Sequence, residues 1–378
     1  MSRTKSKKGG RTALIVLLAL VLVIAIAGGV GLYFYNYYKN YDEAYIPDID
    51  STVSFYIPPG SSTGAIANKL EEFGLIENAG IFRIKSRILG LDSKYQAGTY
   101  MLSPAMTMSQ IMEEIQHGTK ETVRFTVQEG LNLVQVAQKL VKDGIVKSEE
   151  VFYKALEDDY GFWFLEGLEG QYPDPTGKIS ARGNRLEGFL YPETYDIYKD
   201  ASVHDVINKM LGQFAKMVPE SAKDRLDALN KKLGTSYTMH DIVTAASIIE
   251  METYNAEKDG AGVASVIYNR LAKKMNIQSD VTVLYALGKT GGARVLNKDL
   301  EDSYSSPFST YGKTFKGLPA GPICSPTAAS VNAALEPLDS DYLYFCVAAD
   351  GSNRLLFTAN YNEHLRNAEA WRKYMYGK

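Results

Sequence analysis

Two stretches of this chain are copies of one another. Val53–Phe82 (VSFYIPPGSSTGAIANKLEEFGLIENAGIF) aligns without a gap on Val123–Phe152 (VRFTVQEGLNLVQVAQKLVKDGIVKSEEVF), seventy residues further on. Matching pairs include Val53/Val123, Phe55/Phe125, Gly60/Gly130, Ala67/Ala137, Leu70/Leu140, Gly74/Gly144 and Phe82/Phe152. Each copy reads as an alternating strand, a Gly turn, an amphipathic helix, a Gly stop and the start of a second short helix. Between them Ile81–Leu91 is helical, Tyr95–Leu102 reads as a strand and Met108–Gln116 as a helix. The duplication predicts two small α/β modules, either binding or spacing units or a purely structural repeat.

Upstream, Ala13–Tyr35 carries no charge and is long enough to cross a bilayer core, which takes ~20 residues. Arg3, Lys5, Lys7, Lys8 and Arg11 precede it, and no acid occurs before Asp42, so the positive-inside bias puts the N-terminus in the cytoplasm and the rest outside. Ala25–Gly28 (AIAG) resembles a signal-peptide cleavage site, but the apolar run continues through Val30, Leu32 and Phe34, and Tyr33, Tyr35, Tyr37 and Tyr38 suit an interfacial belt. A retained, single-pass anchor in the cell membrane is expected. Asp158–Gly183, rich in Gly, Asp and Pro, reads as a domain boundary. The expected organisation is a basic tail (1–12), an anchor (13–35), a stalk with the first module (36–120), the second module and a linker (121–178), and an α+β domain (179–378).

Composition narrows the chemistry. A net charge of −3, with no basic face interleaved with aromatics, argues against nucleic acid as a partner. The four histidines (His117, His204, His240 and His364) are scattered without ligand spacing, so neither a metal nor another cofactor is expected. GSSTG at Gly60–Gly64 matches a nucleophile elbow, but the second copy has Asn132 where the first has Ser62, so the turn is expected to serve the fold. No S-x-x-K follows the apolar run, and neither a P-loop nor a dinucleotide fingerprint is present. Cys324 and Cys346 are too few for a disulfide framework, and whether they pair is open. Carboxylate chemistry remains, with Glu187, Glu193, Glu250, Glu252 and Asp280 as candidates.

Glu250 stands out among them. Thr238–Thr253 (TMHDIVTAASIIEMET) opens with a capping-box pattern at Thr238 and Asp241, and Ile242, Ala245, Ala246 and Ile249 form a buried stripe at helical spacing. A carboxyl beside Ile249, at the end of a helix where backbone carbonyls concentrate negative charge, suits the proton-carrying form that a general acid needs. Glu250 and Glu252 are two apart and do not face each other, so a partner carboxylate must come from another segment. Helices are also expected over Val203–Met217, Ser221–Lys232 and Gly260–Lys274, with a loop leading into a helix over Met275–Gly288. Asp280 is expected to cap that last helix. Ser306–Pro326 reads as a long binding loop, Tyr342–Val347 and Arg354–Thr358 as paired strands, and Tyr361–Tyr374 as a closing helix.

Six segments carry a resemblance: LEGFLYPETY (Leu186–Tyr195), AASIIEMET (Ala245–Thr253), VASVIYNRL (Val263–Leu271), IQSDVTVLYALG (Ile277–Gly288), STYGKTFKGLPAGPI (Ser309–Ile323) and YLYFCVAADGSNRLLFTANYNEH (Tyr342–His364). In this order they resemble the YceG-like, MltG-type endolytic murein transglycosylases. The resemblance implies a single-pass membrane protein with LysM-like modules, here the two repeats, before an α+β catalytic domain. It implies cleavage of the β-1,4 bond between N-acetylmuramic acid and N-acetylglucosamine to leave 1,6-anhydro ends, which would terminate nascent strands. It also implies peptidoglycan strands and peptidoglycan synthases as partners. The family's catalytic acid falls on Glu250. Two positions depart from the family's pattern: Met251 stands where Lys is usual and Val281 where Pro is usual. Gln278, Ser279, Asp280, Asn269, Tyr311 and Glu193 are the candidates for substrate contact. A muramidase-type hydrolase would need a second carboxylate, from Glu193 or Asp280. A non-catalytic wall-binding scaffold is the third reading.

Overall fold

The structure, a computed structural model, describes residues 8–42, 44–46, 52–118, 121–168, 184–289 and 293–377. They fall into two compact units, Met1–Glu121 and Thr122–Lys378. Helix α1 (Lys8–Asn40) contains the apolar run, and Leu20–Tyr38, with a mean hydropathy of 1.7, is long and apolar enough to cross a membrane.

The first unit continues with β1 (Val53–Ile57), α2 (Thr63–Glu72), α3 (Ala79–Ile88), β2 (Gly98–Leu102) and α4 (Met108–Glu114). The strands pair antiparallel with Phe55 opposite Tyr100, and these two rings meet Leu70 and Phe82 in a closed core. Ser62 starts α2 by accepting the Ala65 N–H at 3.2 Å, which occupies the hydroxyl of the GSSTG turn in helix capping.

The second unit opens in the same way, with β3 (Thr122–Thr126), α5 (Leu133–Lys142) and α6 (Glu149–Ala155). Asn132 caps α5 in a full capping box with Gln135. The strand that completes this copy, β4 (Thr194–Tyr198), comes from beyond the expected domain boundary, most of which (169–183) lies outside the described residues. It pairs antiparallel with β3, placing Tyr195 opposite Phe125 as Tyr100 lies opposite Phe55. Both tyrosines donate their hydroxyls to a carbonyl four residues upstream, Tyr100 to Gln96 at 2.8 Å and Tyr195 to Tyr191 at 2.6 Å. Each copy is therefore a βααβ unit.

The remainder is mostly helical: α7 (Val203–Met217), α8 (Ala222–Leu233), α9 (Met239–Glu252), α10 (Ala256–Ala272), α11 (Asp280–Ala286), α12 (Asn297–Ser303) and α13 (Ala328–Leu335). The hairpin of β5 (Tyr344–Val347) and β6 (Leu355–Thr358) and helix α14 (Tyr361–Tyr376) close the chain. The fold is thus mixed α and β, with an apolar helix at its start. Helix α9 is the centre of the second unit, packed against α10, α11 and α13, with every residue from Ile242 to Ile249 buried. Burying an Ile or Val side chain contributes ~1.5–3 kcal/mol, so this helix is a main source of the unit's stability. Its core is continuous with Phe125, Leu140 and Phe152 of the βααβ copy. Cys324 and Cys346 are both free thiols.

Candidate active site

The predicted capping box forms: the Thr238 hydroxyl accepts the Asp241 N–H, and the Asp241 carboxylate accepts the Thr238 N–H at 2.8 Å. The loop expected over Ser306–Pro326 then lies along α9. Ser247 is fully buried, and its hydroxyl donates to the Thr244 carbonyl and accepts the Ile323 N–H at 3.1 Å. Cys324 donates its thiol to the Ser247 carbonyl, and burial pushes that thiol well up. Gly188 lets the Leu186–Leu190 turn close on the same place. It has φ +87°, and a Cβ there would come within 2.6 Å of Pro322 and 2.8 Å of Val243.

These contacts deliver the start of α13 to the end of α9. Glu250 Oε2 accepts three hydrogen bonds, from the Thr327 N–H (2.9 Å), the Thr327 hydroxyl (2.8 Å) and the Ser330 hydroxyl (2.7 Å). A hydrogen bond contributes ~0.5–1.5 kcal/mol net, so three on one oxygen fix the group firmly. Among the described residues no donor reaches the other oxygen, Oε1. The carboxyl lies at the carbonyl end of its own helix and at the N–H end of α13, where an anion is favoured. The apolar setting expected from the sequence is therefore only half of its environment. Tyr191, its ring buried, accepts the Ala328 N–H at 3.3 Å. Burial raises the Tyr191 phenol, the Ala328 N–H offsets part of that, and the charges of Glu193, Glu250 and Glu129 raise it further. Glu193 is exposed, with Oε1 accepting its neighbour's Thr194 N–H.

The βααβ copy supplies one wall. The Ser325 N–H donates to the Leu131 carbonyl (2.9 Å) and the Gly130 N–H donates to the Ser325 carbonyl (3.3 Å), two residues before Thr327. Glu187, a sequence candidate, is buried and bridges elements: it accepts the Leu133 N–H at the start of α5 and the Tyr285 hydroxyl of α11.

The other candidates divide. Ser279, Asp280, Gln278 and Tyr311 come together, but around Glu252. The Ser279 hydroxyl donates to Glu252 Oε1 at 2.6 Å, and the Tyr311 hydroxyl donates to Asp280 Oδ1 at 2.8 Å. Burial raises the Glu252 carboxyl; the Ser279 hydrogen bond opposes this and the Asp280 charge adds to it. Tyr311 is raised by burial, by its bond to Asp280 and by the charges of Asp280 and Glu252. Helix α11 starts with Ser279 as its flanking residue and Asp280 inside the first turn, so Asp280 is not the cap; its carboxylate is taken by Tyr311. Asn269 is elsewhere, its amide donating to the Ser340 (2.9 Å) and Tyr342 (3.0 Å) carbonyls and pinning the chain that enters β5.

The family's sequence profile, described as the YceG-like family, matches residues 55–370. The chain belongs to the YceG-like family. The chain is also 36% identical over 351 residues, 92% of its length and 91% of the relative's, to the protein named endolytic murein transglycosylase of Bacillus subtilis (strain 168). A protein of the same name from Streptococcus pneumoniae (strain D39) is 28% identical over 94% of this chain and 64% of its own length. The crystal structure of a YceG-like protein from Listeria monocytogenes aligns with a TM-score of 0.51 at 33% identity, over 84% of this chain and 99% of that one.

Within this YceG-like chain, Thr327, Ser330 and Tyr191 are the site residues that sequence reasoning missed. The signal for the first two was present: Pro326-Thr327 ahead of AASVNAAL is a helix start, with Thr as the flanking residue.

Proposed function

We infer that this chain is an endolytic murein transglycosylase, with Glu250 as its single acid and base. One observation carries the assignment: three donors hold Glu250 Oε2 and leave Oε1 as the oxygen that can give and take a proton. A proton on Oε1 passes to the glycosidic oxygen as the bond from C1 of N-acetylmuramic acid to O4 of N-acetylglucosamine breaks. The carboxylate, its charge taken up by Thr327 and Ser330, then removes the proton of the muramoyl 6-hydroxyl as that oxygen bonds to C1. The ring closes as a 1,6-anhydro sugar, Glu250 is reprotonated and no water is consumed. One carboxyl suffices for both steps. Exposed Gln278 and Asp280 and half-buried Tyr311 would line the glycan groove, with Glu193 at its rim; Ser279, being buried, would act through its neighbours.

On this reading α1 anchors the protein in the cell membrane with the N-terminus inside, and both βααβ units are LysM-like modules, a reading their strand–helix–helix–strand order supports. Cleavage next to the membrane would end nascent strands, with peptidoglycan synthases as neighbours. Glu250→Gln keeps an acceptor for Thr327 and Ser330 but cannot shuttle a proton, so turnover should fall by at least ~10²–10⁴-fold with the melting temperature unchanged. Mass spectrometry of the products decides the reaction. Ends lighter by one water than hydrolysis products are expected. Reducing ends would instead make the enzyme a hydrolase using Glu193 or Asp280, and intact strands would leave a binding scaffold.

A further inference from the structure

Helix α9 ends in two carboxylates that are held alike. Glu250 takes the hydroxyl of Thr327, the residue flanking α13, and Glu252 takes the hydroxyl of Ser279, the residue flanking α11. Neither hydroxyl caps its own helix. Two positions on an α-helix are ~200° apart, so the two groups serve opposite sides of the last turn.

On the Glu252 side the bond to Ser279 is the end of a buried network. The Ser279 N–H donates to the Thr310 hydroxyl (3.0 Å), the Thr282 hydroxyl donates to the Ser279 carbonyl (2.7 Å), and the Thr282 and Thr310 hydroxyls lie 2.8 Å apart. The Thr310 N–H closes the network on Thr282 Oγ1 at 3.1 Å. Each of the polar groups Gln278, Asp280 and Tyr311 is one residue from a member of the network. Gln278 precedes Ser279 and is held at φ +57°, a left-handed conformation unusual for a side chain other than Gly, with its N–H on the Thr310 carbonyl at 3.3 Å. Asp280 follows Ser279, Tyr311 follows Thr310, and the two are joined by their own hydrogen bond.

We propose that Glu252 is a positioning residue of the transglycosylase: through Ser279 it holds Gln278, Asp280 and Tyr311 in the geometry that binds the glycan at the end of α9, the end that carries Glu250. The inference rests on the assignment of Glu250 as the acid. Glu252 itself takes no part in proton transfer. Burial favours its neutral form, and a neutral carboxyl is close in shape and hydrogen bonding to an amide.

The test uses the full-length protein and glycan strands of defined length. Glu252→Ala should raise KM ~10-fold or more while kcat changes less than ~3-fold, since it costs substrate binding and not the chemical step. Glu252→Gln, whose amide oxygen still accepts from Ser279, should restore most of that loss. In the inactive Glu250→Gln background, adding Glu252→Ala should weaken equilibrium binding of an uncleaved strand by the same ~10-fold, free of kinetic ambiguity. Tyr311→Phe should cost much less on top of Glu252→Ala than alone, because both act on one edge. If Glu252→Ala fails to fold, Ser279→Ala breaks the same bond and should give the same rise in KM.

A folded Glu252→Ala, or Ser279→Ala, with unchanged KM overturns the proposal. So does a Glu252→Gln that loses kcat as Glu250→Gln does, since that would make Glu252 a proton carrier. Should Glu250→Gln itself stay active, the assignment of the acid has failed; if it is inactive while Glu252→Ala binds normally, only the present inference has.

Discussion

The two βααβ copies start from the same pattern and end in different situations. In the first, β2 follows α3 across residues 89–97 and closes a core of Phe55, Leu70, Phe82 and Tyr100 that belongs to it alone. In the second, residues 156–193 intervene between α6 and β4, and Phe125, Leu140 and Phe152 join the core around α9. The turn after the first strand differs in use as well: Gly60 has open space around it, whereas a Cβ on Gly130 would lie 3.1 Å from Met251 Sδ, next to Glu250. A repeated local pattern thus dictates the elements and their pairing. Whether the result is a self-contained module or a wall of the candidate site depends on where the closing strand comes from.

The largest expected effect separates the copies outright. A chain shortened to begin at residue 179 loses β3, the partner of β4, together with α5 and the bonds from Gly130 and Leu131 to Ser325. It should show no cooperative melting and no turnover. A chain beginning at Thr122 should melt cooperatively and cleave short soluble strands. Stable folding of the shorter chain would make the second copy a detachable spacer after all.

Matched core deletions sharpen the contrast at lower cost. Phe55→Ala and Phe125→Ala each remove a buried ring, worth ~3–5 kcal/mol. The first should lower the melting transition of its own unit and leave turnover on short strands unchanged, whereas the second should lower both stability and turnover. Equal effects on turnover would erase the distinction. Smallest is the hydroxyl pair. Tyr100→Phe and Tyr195→Phe each remove the hydroxyl that bonds a carbonyl four residues upstream (in Tyr100 shared with the Ile115 carbonyl at 3.3 Å), about 1 kcal/mol. Only Tyr195→Phe should also slow cleavage, because its acceptor is the backbone of Tyr191, whose ring stands beside the start of α13.

Much of this architecture was legible. The span Val203–Met217 is a helix with the predicted ends, the Thr238/Asp241 capping box forms, and the hairpin around Asp350-Gly351 and the final helix lie where turn chemistry and periodicity put them. Strand β4 was missed because its partner lies some seventy positions upstream, so no hairpin turn announces the pair. Helix α13 was missed for a different reason: Val331, Ala333, Ala334 and Leu335 are buried on several sides, so no amphipathic period marks it. At the site, the helix carrying Glu250 was readable from local pattern. What holds its carboxylate was not, because Thr327 and Ser330 reach it only through tertiary packing across 77 and 80 residues of chain. The bond from the QSD segment to Glu252 was equally hidden, since it joins residues 27 apart in the chain.

Asp42 follows the last residue of α1 by only two positions, a distance a chain can stretch to ~7 Å at most. It is tied to the first βααβ unit at once: Lys85, almost wholly buried, pairs with it at 3.1 Å, and the Ser109 N–H donates to it at 2.8 Å. Burial would raise this carboxyl, but the Ser109 N–H and Lys85 together bring it below the ordinary Asp value. A long linker would let the unit sweep a wide hemisphere above the bilayer, with a reach that grew with linker length. Here the leash is a few ångströms, so the stand-off from the membrane is set by how deeply α1 sits. A chain anchored as proposed would hold its first βααβ unit in one thin layer above the bilayer, whatever the thickness of the wall beyond it.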